Sequence, residues 1–162
     1  MPMSINQHAA QAITHQPGAG DTVSMMGVTI TYKVVGAQSD GQWLVMEYTA
    51  PPQMPGPPPH EHKITTEIFY VVEGVLAVQA GGQTTQLGAG GVAFVPPGTP
   101  HSFSNSGDAP AKFLLIASPA GLEMYFSEMG DLLKNETSWP PQDMSQVIAL
   151  MAKYDTFAAT AV

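Results

Sequence analysis

A chain of 162 residues, 44 % hydrophobic and 11 % charged, is long enough for one buried core and too apolar for disorder. Its formal charge of −8, with five lysines (Lys33, Lys63, Lys112, Lys134, Lys153) and no arginine, excludes a nucleic-acid surface, because nothing could replace the phosphate counterions. The absence of cysteine excludes disulfides, thiolate metal sites and cysteine nucleophiles.

In chain order, residues 1–21 are small and polar and are expected to form a flexible N-terminal segment whose histidines, His8 and His15, are solvated. They lack the basic start and apolar core of a secretion signal, and no run reaches membrane-spanning length, so a cytoplasmic protein without a membrane partner is expected. The β-branched run 28–35 and the run 43–49 read as strands. The proline ladder 50–59 lacks the N–H donors of a helix or central strand and reads as a stiff loop. Short strands then follow at 67–73, 75–80, 83–87, 91–96, 101–105 and 111–118, each closed by glycine, proline or a Ser-Gly-Asp turn. Such punctuation without intervening helices predicts a β-sandwich or barrel. After Pro119 the period changes, and 120–134 and 143–154 read as helices packed on the β core, the second capped by Asp143 or Ser145. The expectation is a single all-β domain over 22–162, with a C-terminal helical segment at 120–154.

The chemistry concentrates in "GPPPHEHKITTEIFYVVEG" (56–74). Residues two apart on a strand share a face, so His60 and His62 project together with Glu61 opposite. Glu67 lies five positions after His62, and "KITT" must reverse or bulge the chain before Glu67 can join them. His101 arrives on a later strand, through Pro97-Gly98-Thr99-Pro100. Three imidazoles and a carboxylate suit a divalent cation, although His-x-His by itself is a weak signal.

The frame around these residues resembles the two motifs of the cupin superfamily. His60, His62, Glu67 and Gly74 match the first motif (54–74), and Gly90, Pro96, Gly98, His101 and Asn105 match the second (90–105). Only 15 residues separate Gly74 from Gly90. One position departs: Met54 stands where the family has its opening glycine, and the nearest glycine is Gly56. The resemblance implies a jelly-roll β-barrel holding one divalent transition metal on His60, His62, Glu67 and His101. Four protein ligands would complete a tetrahedral zinc shell, or leave two positions open on octahedral iron, manganese, nickel or cobalt.

Without arginine the chain lacks a bidentate fork for anionic substrates, so a neutral or weakly acidic phenol or enol is the expected small-molecule substrate. Among small bacterial cupins the chain resembles the quercetinase-like dioxygenases, and "SPAGLEMYF" (118–126) looks like the segment that follows their barrel. That resemblance implies Glu67 as both ligand and catalytic base. Phe69, Phe103, Met124 and Phe126 are the candidate pocket residues, with Tyr125 expected beside Met124 and Phe126 at the pocket mouth. The alternatives are a non-redox isomerase, cyclase or lyase, and a binding protein without turnover. A homodimer is expected, with residues 22–35 either folding back on their own sheet or pairing with a second subunit.

Overall fold

The computed structural model describes residues 11–136, 138, 141 and 143–160. Residues 1–10 of the expected N-terminal segment, with His8, lie outside them. Residues 11–20 are exposed and form neither strand nor helix, and His15 is among them. Ala19 and Asp21 are nonetheless tied to the barrel: Lys33 Nζ donates to the Ala19 carbonyl at 2.6 Å and the Tyr32 N–H to that of Asp21 at 2.8 Å.

The strands follow the punctuation of the sequence. They are β1 Thr22–Met25, β2 Val28–Val34, β3 Leu44–Ala50, β4 His60–Glu61, β5 Thr66–Glu73, β6 Val75–Ala80, β7 Gln83–Gly88, β8 Val92–Val95, β9 His101–Ser104, β10 Ala111–Ser118 and β11 Phe157–Ala158. One antiparallel sheet runs β1-β2-β3-β10-β5-β8 and the other β11-β4-β9-β6-β7. Two such sheets closing on one core make the all-β jelly roll that the sequence predicts. Residues 22–35 fold back as the β1–β2 hairpin on their own sheet.

Alternation supplies the core. In β3 the side chains of Leu44, Met46, Tyr48 and Ala50 are buried, and in β10 those of Ala111, Phe113, Leu115 and Ala117. These two central strands pair along their whole length, so each buries one face against the opposite sheet. Tyr48 stacks on Phe113 with ring centroids 4.8 Å apart, and Phe103 meets both edge-on. Each fully buried large side chain contributes about 1.5–3 kcal/mol, and Phe113→Ala would cost about 3–5 kcal/mol with its cavity.

Two helices, α1 Leu122–Leu132 and α2 Ser145–Lys153, form a second small core. Met129, Leu133 and Val147 are buried there, with Tyr125, Met144, Met151 and Met25 of β1 packed around them. Glu123 roots α1, because its carboxylate accepts the N–H groups of Gly36 and Gly121 at 2.8 and 2.7 Å. Asp143 accepts the Ser145 N–H at 2.8 Å just ahead of α2, but the N-cap position itself is Met144, not Asp143 or Ser145 as expected. The helical reading ends at Tyr154, but the chain then returns to the barrel as β11 beside β4. A strand of two residues carries no periodic signal, which is why β11 was not predicted; β4 is the short remnant of the strand expected around His60 and His62.

Candidate metal centre

His60 opens β4 at the first residue after the prolines with a ladder-competent N–H, and it pairs with His101 of β9. Glu67 sits on β5, hydrogen-bonded between β10 and β8, a position held from both sides. The loop between them turns because the Asp155 carboxylate accepts three consecutive N–H groups, those of Lys63, Ile64 and Thr65, each at 3.0 Å. Gly98 joins the two motifs: its N–H donates to the His62 carbonyl at 2.7 Å, and its φ of 74° favours glycine. Asn105 is also structural. Its amide group donates to the carbonyls of Ala50, Pro51 and Ala109, and its side-chain oxygen accepts the Gly107 N–H.

The departure at Met54 leaves the ligands in place. Met54 bridges to Asn105, while at Gly56 (φ 76°) a Cβ would overlap the carbonyl of Phe103. The close approach that a glycine allows has moved two residues along.

His60, His62, Glu67 and His101 are all buried, and their ligand atoms lie within 4.8 Å of one another. Each ring is aimed by its Nδ1. His60 Nδ1 meets the Pro58 carbonyl at 3.0 Å, His101 Nδ1 that of Thr99 at 2.9 Å, and His62 Nδ1 that of Asp155 at 2.8 Å. A carbonyl only accepts, so every Nδ1 carries the proton and every neutral ring turns an Nε2 lone pair inward. His62 Nε2 is buried without a hydrogen-bond partner among the described residues; Glu67 Oε2, 3.4 Å away, is misaligned. His101 Nε2 stands 2.8 Å from the same oxygen, where two lone pairs repel unless a proton or a cation intervenes. Three inward lone pairs, a carboxylate and an orphaned nitrogen fit a divalent transition metal.

The titration of these groups reflects the crowding. Burial, with His101 beside it, pushes His60 down to about 4. Burial also opposes charge on His62, but Glu67 and Asp155 outweigh it and raise its pKa. Burial by itself would raise Glu67, yet the His101 and His62 rings beside it, which favour its charged form, hold it at about 2.

The centre opens on an apolar cavity of about 230 Å³ between barrel and helices. His60, His62 and Glu67 line it with Phe103, Phe126, Tyr48, Tyr125 and six methionines (Met25, Met26, Met54, Met129, Met144, Met151); none of its lining residues is Lys. Two pocket expectations need correction. Phe69 shares the face of Glu67 but is wholly buried, packed behind the ligands with its ring 6.3 Å from that of His101. Met124 is 52 % exposed and lines nothing, because two residues from buried Leu122 is about 200° around a helix. Tyr48 was missed, whereas Tyr125, expected beside Phe126 at the pocket mouth, does line the cavity. Burial raises both phenols, Tyr125 to about 12, so both hydroxyls are neutral, and no hydrogen-bond partner contributes to either shift. Asp155 and Thr156 were missed as well, since nothing in the sequence links them to residues 62–65.

Residues 46–117 match the family model of the cupin domain. Over 102 residues the chain is 31 % identical to quercetin 2,3-dioxygenase of Bacillus subtilis, covering 62 % of this chain and 30 % of that protein. It is 35 % identical over 102 residues to the probable oxidoreductase virH of Hypocrea virens, covering 56 % of this chain and 46 % of that one. The chain therefore spans less than half the length of these curated relatives. Among solved structures, an RmlC-like cupin from Shewanella frigidimarina matches with a TM-score of 0.59 at 20 % identity, over 68 % of this chain and 93 % of the other, a likeness of fold alone.

Proposed function

Starting from a chain that carries a cupin domain over residues 46–117, we propose a metal-dependent dioxygenase acting on a compact phenol or enol. The observation that carries this reading is a buried cluster of four inward-facing groups, three of which (His60, His62 and Glu67) line an apolar cavity without a lysine in its lining. His60, His62, Glu67 and His101 would hold one divalent transition metal. When bound, the metal supplies Lewis acidity to an oxygen ligand and, if redox-active, a route for electrons to dioxygen.

The protein's own residues do the rest. Glu67, at about 2, is ionised throughout the neutral range and is available to accept the substrate's hydroxyl proton. The transfer is less uphill from an acidic hydroxyl, a phenol of pKa about 10 or an enol, than from an aliphatic alcohol. Phe103, Phe126 and the methionines exclude water and grip an apolar body, methionine adapting to irregular shapes. The cavity lies below the ~300–1,000 Å³ usual for drug-sized ligands, which favours a small substrate. The neutral hydroxyls of Tyr48 and Tyr125 offer it hydrogen bonds. Likeness over 102 residues to a quercetin 2,3-dioxygenase supports the class of reaction.

The reading includes a two-fold dimer with one metal site per chain, checked by light scattering at micromolar concentration. The decisive test of the activity is an oxygen electrode on metal-loaded protein with a panel of phenols and enols. Uptake that requires both substrate and Glu67 supports the dioxygenase. Turnover without uptake overturns it in favour of a non-redox isomerase, cyclase or lyase.

A further inference from the structure

His60 and His101 are each aimed by the carbonyl two residues earlier in the chain, at Pro58 and Thr99. His62 is aimed by Asp155, 93 residues away. The acceptor is the Asp155 backbone carbonyl, and the carboxylate of the same residue holds the loop that follows His62. One carboxylate oxygen takes the Lys63 N–H; the other takes the N–H groups of Ile64 and Thr65 and the Thr65 hydroxyl at 2.9 Å. Asp155 thus grips the His62 turn from both its main chain and its side chain.

The grip depends on an unusual backbone. Asp155 has φ 52°, a left-handed conformation that Asp tolerates better than most residues, and it lies between the end of α2 and β11. The turn is braced on both sides. The N–H groups of Tyr154 and Thr156 both donate to the Met151 carbonyl, at 3.0 and 2.9 Å, and β11 pairs with β4, bringing Ala158 opposite His60. The Thr156 hydroxyl stands 3.4 Å from His62 Nδ1, beside the same ring. Lys63 closes the latch from outside, its ammonium 4.0 Å from the Phe157 ring.

We propose that Asp155 is a positioning residue for the metal centre: it sets the orientation and Nε2 tautomer of His62, and through the 63–65 turn the approach of Glu67. This rests on the four-ligand metal site. Partners that orient a ligating histidine typically change metal affinity by about 10–100-fold when lost. Residue 155 would therefore act on metal affinity although it touches neither metal nor substrate.

The test is cobalt(II) affinity of the full chain stripped with chelator, measured by competition with a chromophoric chelator, together with the cobalt visible spectrum. Asp155→Gly removes the carboxylate and keeps the left-handed backbone. It is expected to bind cobalt about 10–100-fold more weakly, with an altered spectrum, at a temperature where circular dichroism shows it folded. Asp155→Asn tolerates the same backbone and keeps one acceptor oxygen; a loss of about tenfold is expected, and it carries the test if the glycine variant does not fold. Asp143→Ala, which loosens only the start of α2, should leave affinity and spectrum unchanged. Folded Asp155 variants with wild-type cobalt affinity and spectrum would overturn the proposal and leave the metal site standing. A wild-type chain that takes up no cobalt would overturn both.

Discussion

The motif strands between 60 and 105 and the C-terminal segment 122–158 both build the candidate metal centre, and they do so by different physics. In the first, much of the placement is local: alternation along the chain for His60 and His62, and a carbonyl two residues back for the rings of His60 and His101. In the second, every contribution is long-range. α1 and α2 wall the cavity with Tyr125, Met129 and Met151, and Asp155 turns the His62 ring from 93 residues away. The strands therefore specify which chemistry is possible. The C-terminal segment specifies what enters and how firmly one ligand is held. Loss in the first should abolish metal and turnover together, whereas loss in the second should tune them separately.

The sharpest way to break that division is His60→Ala with His62→Ala. Metal content by elemental analysis should fall from about one per chain towards zero, with affinity down by more than about a hundredfold, beyond the range for losing an outer partner alone. Unchanged metal content would remove the strands from the role given to them. Glu67→Gln comes next: an amide oxygen still coordinates weakly but accepts no proton, so turnover should drop about 10²–10⁴-fold while part of the metal remains. Near-normal turnover at full occupancy would leave Glu67 a ligand only.

Acid should expose the crowding of the strand region in the metal-free protein. His60 titrates near 6.5 when unfolded and at about 4 when folded, so between those values the unfolded chain binds the additional proton. Stability present above pH 6.5 is lost as pH falls to about 4, by about 3 kcal/mol from His60. His62 offsets part of this, because its raised pKa contributes stability below 6.5 that disappears as pH rises through its folded value. Below about 4.5 protonation of Glu67, depressed to about 2, adds to the loss. Urea midpoints across pH 7 to 4 would show it, and a flat profile would mean that the folded His60 ring is not shielded from protons.

The smallest effects belong to the helices. Phe126→Ala should raise KM about tenfold, the 1–2 kcal/mol of a partly buried aromatic contact, with metal content unchanged. Met124→Ala, on the exposed face of the same helix, should alter neither KM nor stability by more than about 0.5 kcal/mol. Equal effects from both would show that the cavity wall lies elsewhere.

Much of the barrel was legible because its signals are local. The eight strand runs from 28 to 118 were predicted with ends shifted by no more than a residue or two, since alternation and glycine or proline stops act within a few positions. The four members of the buried cluster were legible through fixed spacings around His60, Glu67 and His101. Phe69 and Met124 were misplaced for a shared reason. Facing inward on a strand, or lying on a helix near the site, does not say whether a side chain borders the cavity, and only the packing of neighbours decides that.

What the sequence alone determined is the all-β barrel, its helical tail and the set of groups able to hold a metal, because each is encoded by contacts among near neighbours. Only the tertiary structure decided which way the tail turns after Tyr154, that β11 pairs with β4, and that Asp155 closes on residues 62–65. The physical reason is chain separation. The hydrogen bonds joining Asp155 to the His62 turn leave no periodicity and no spacing to read, and they form only when the folded barrel brings two distant stretches of backbone within 3 Å.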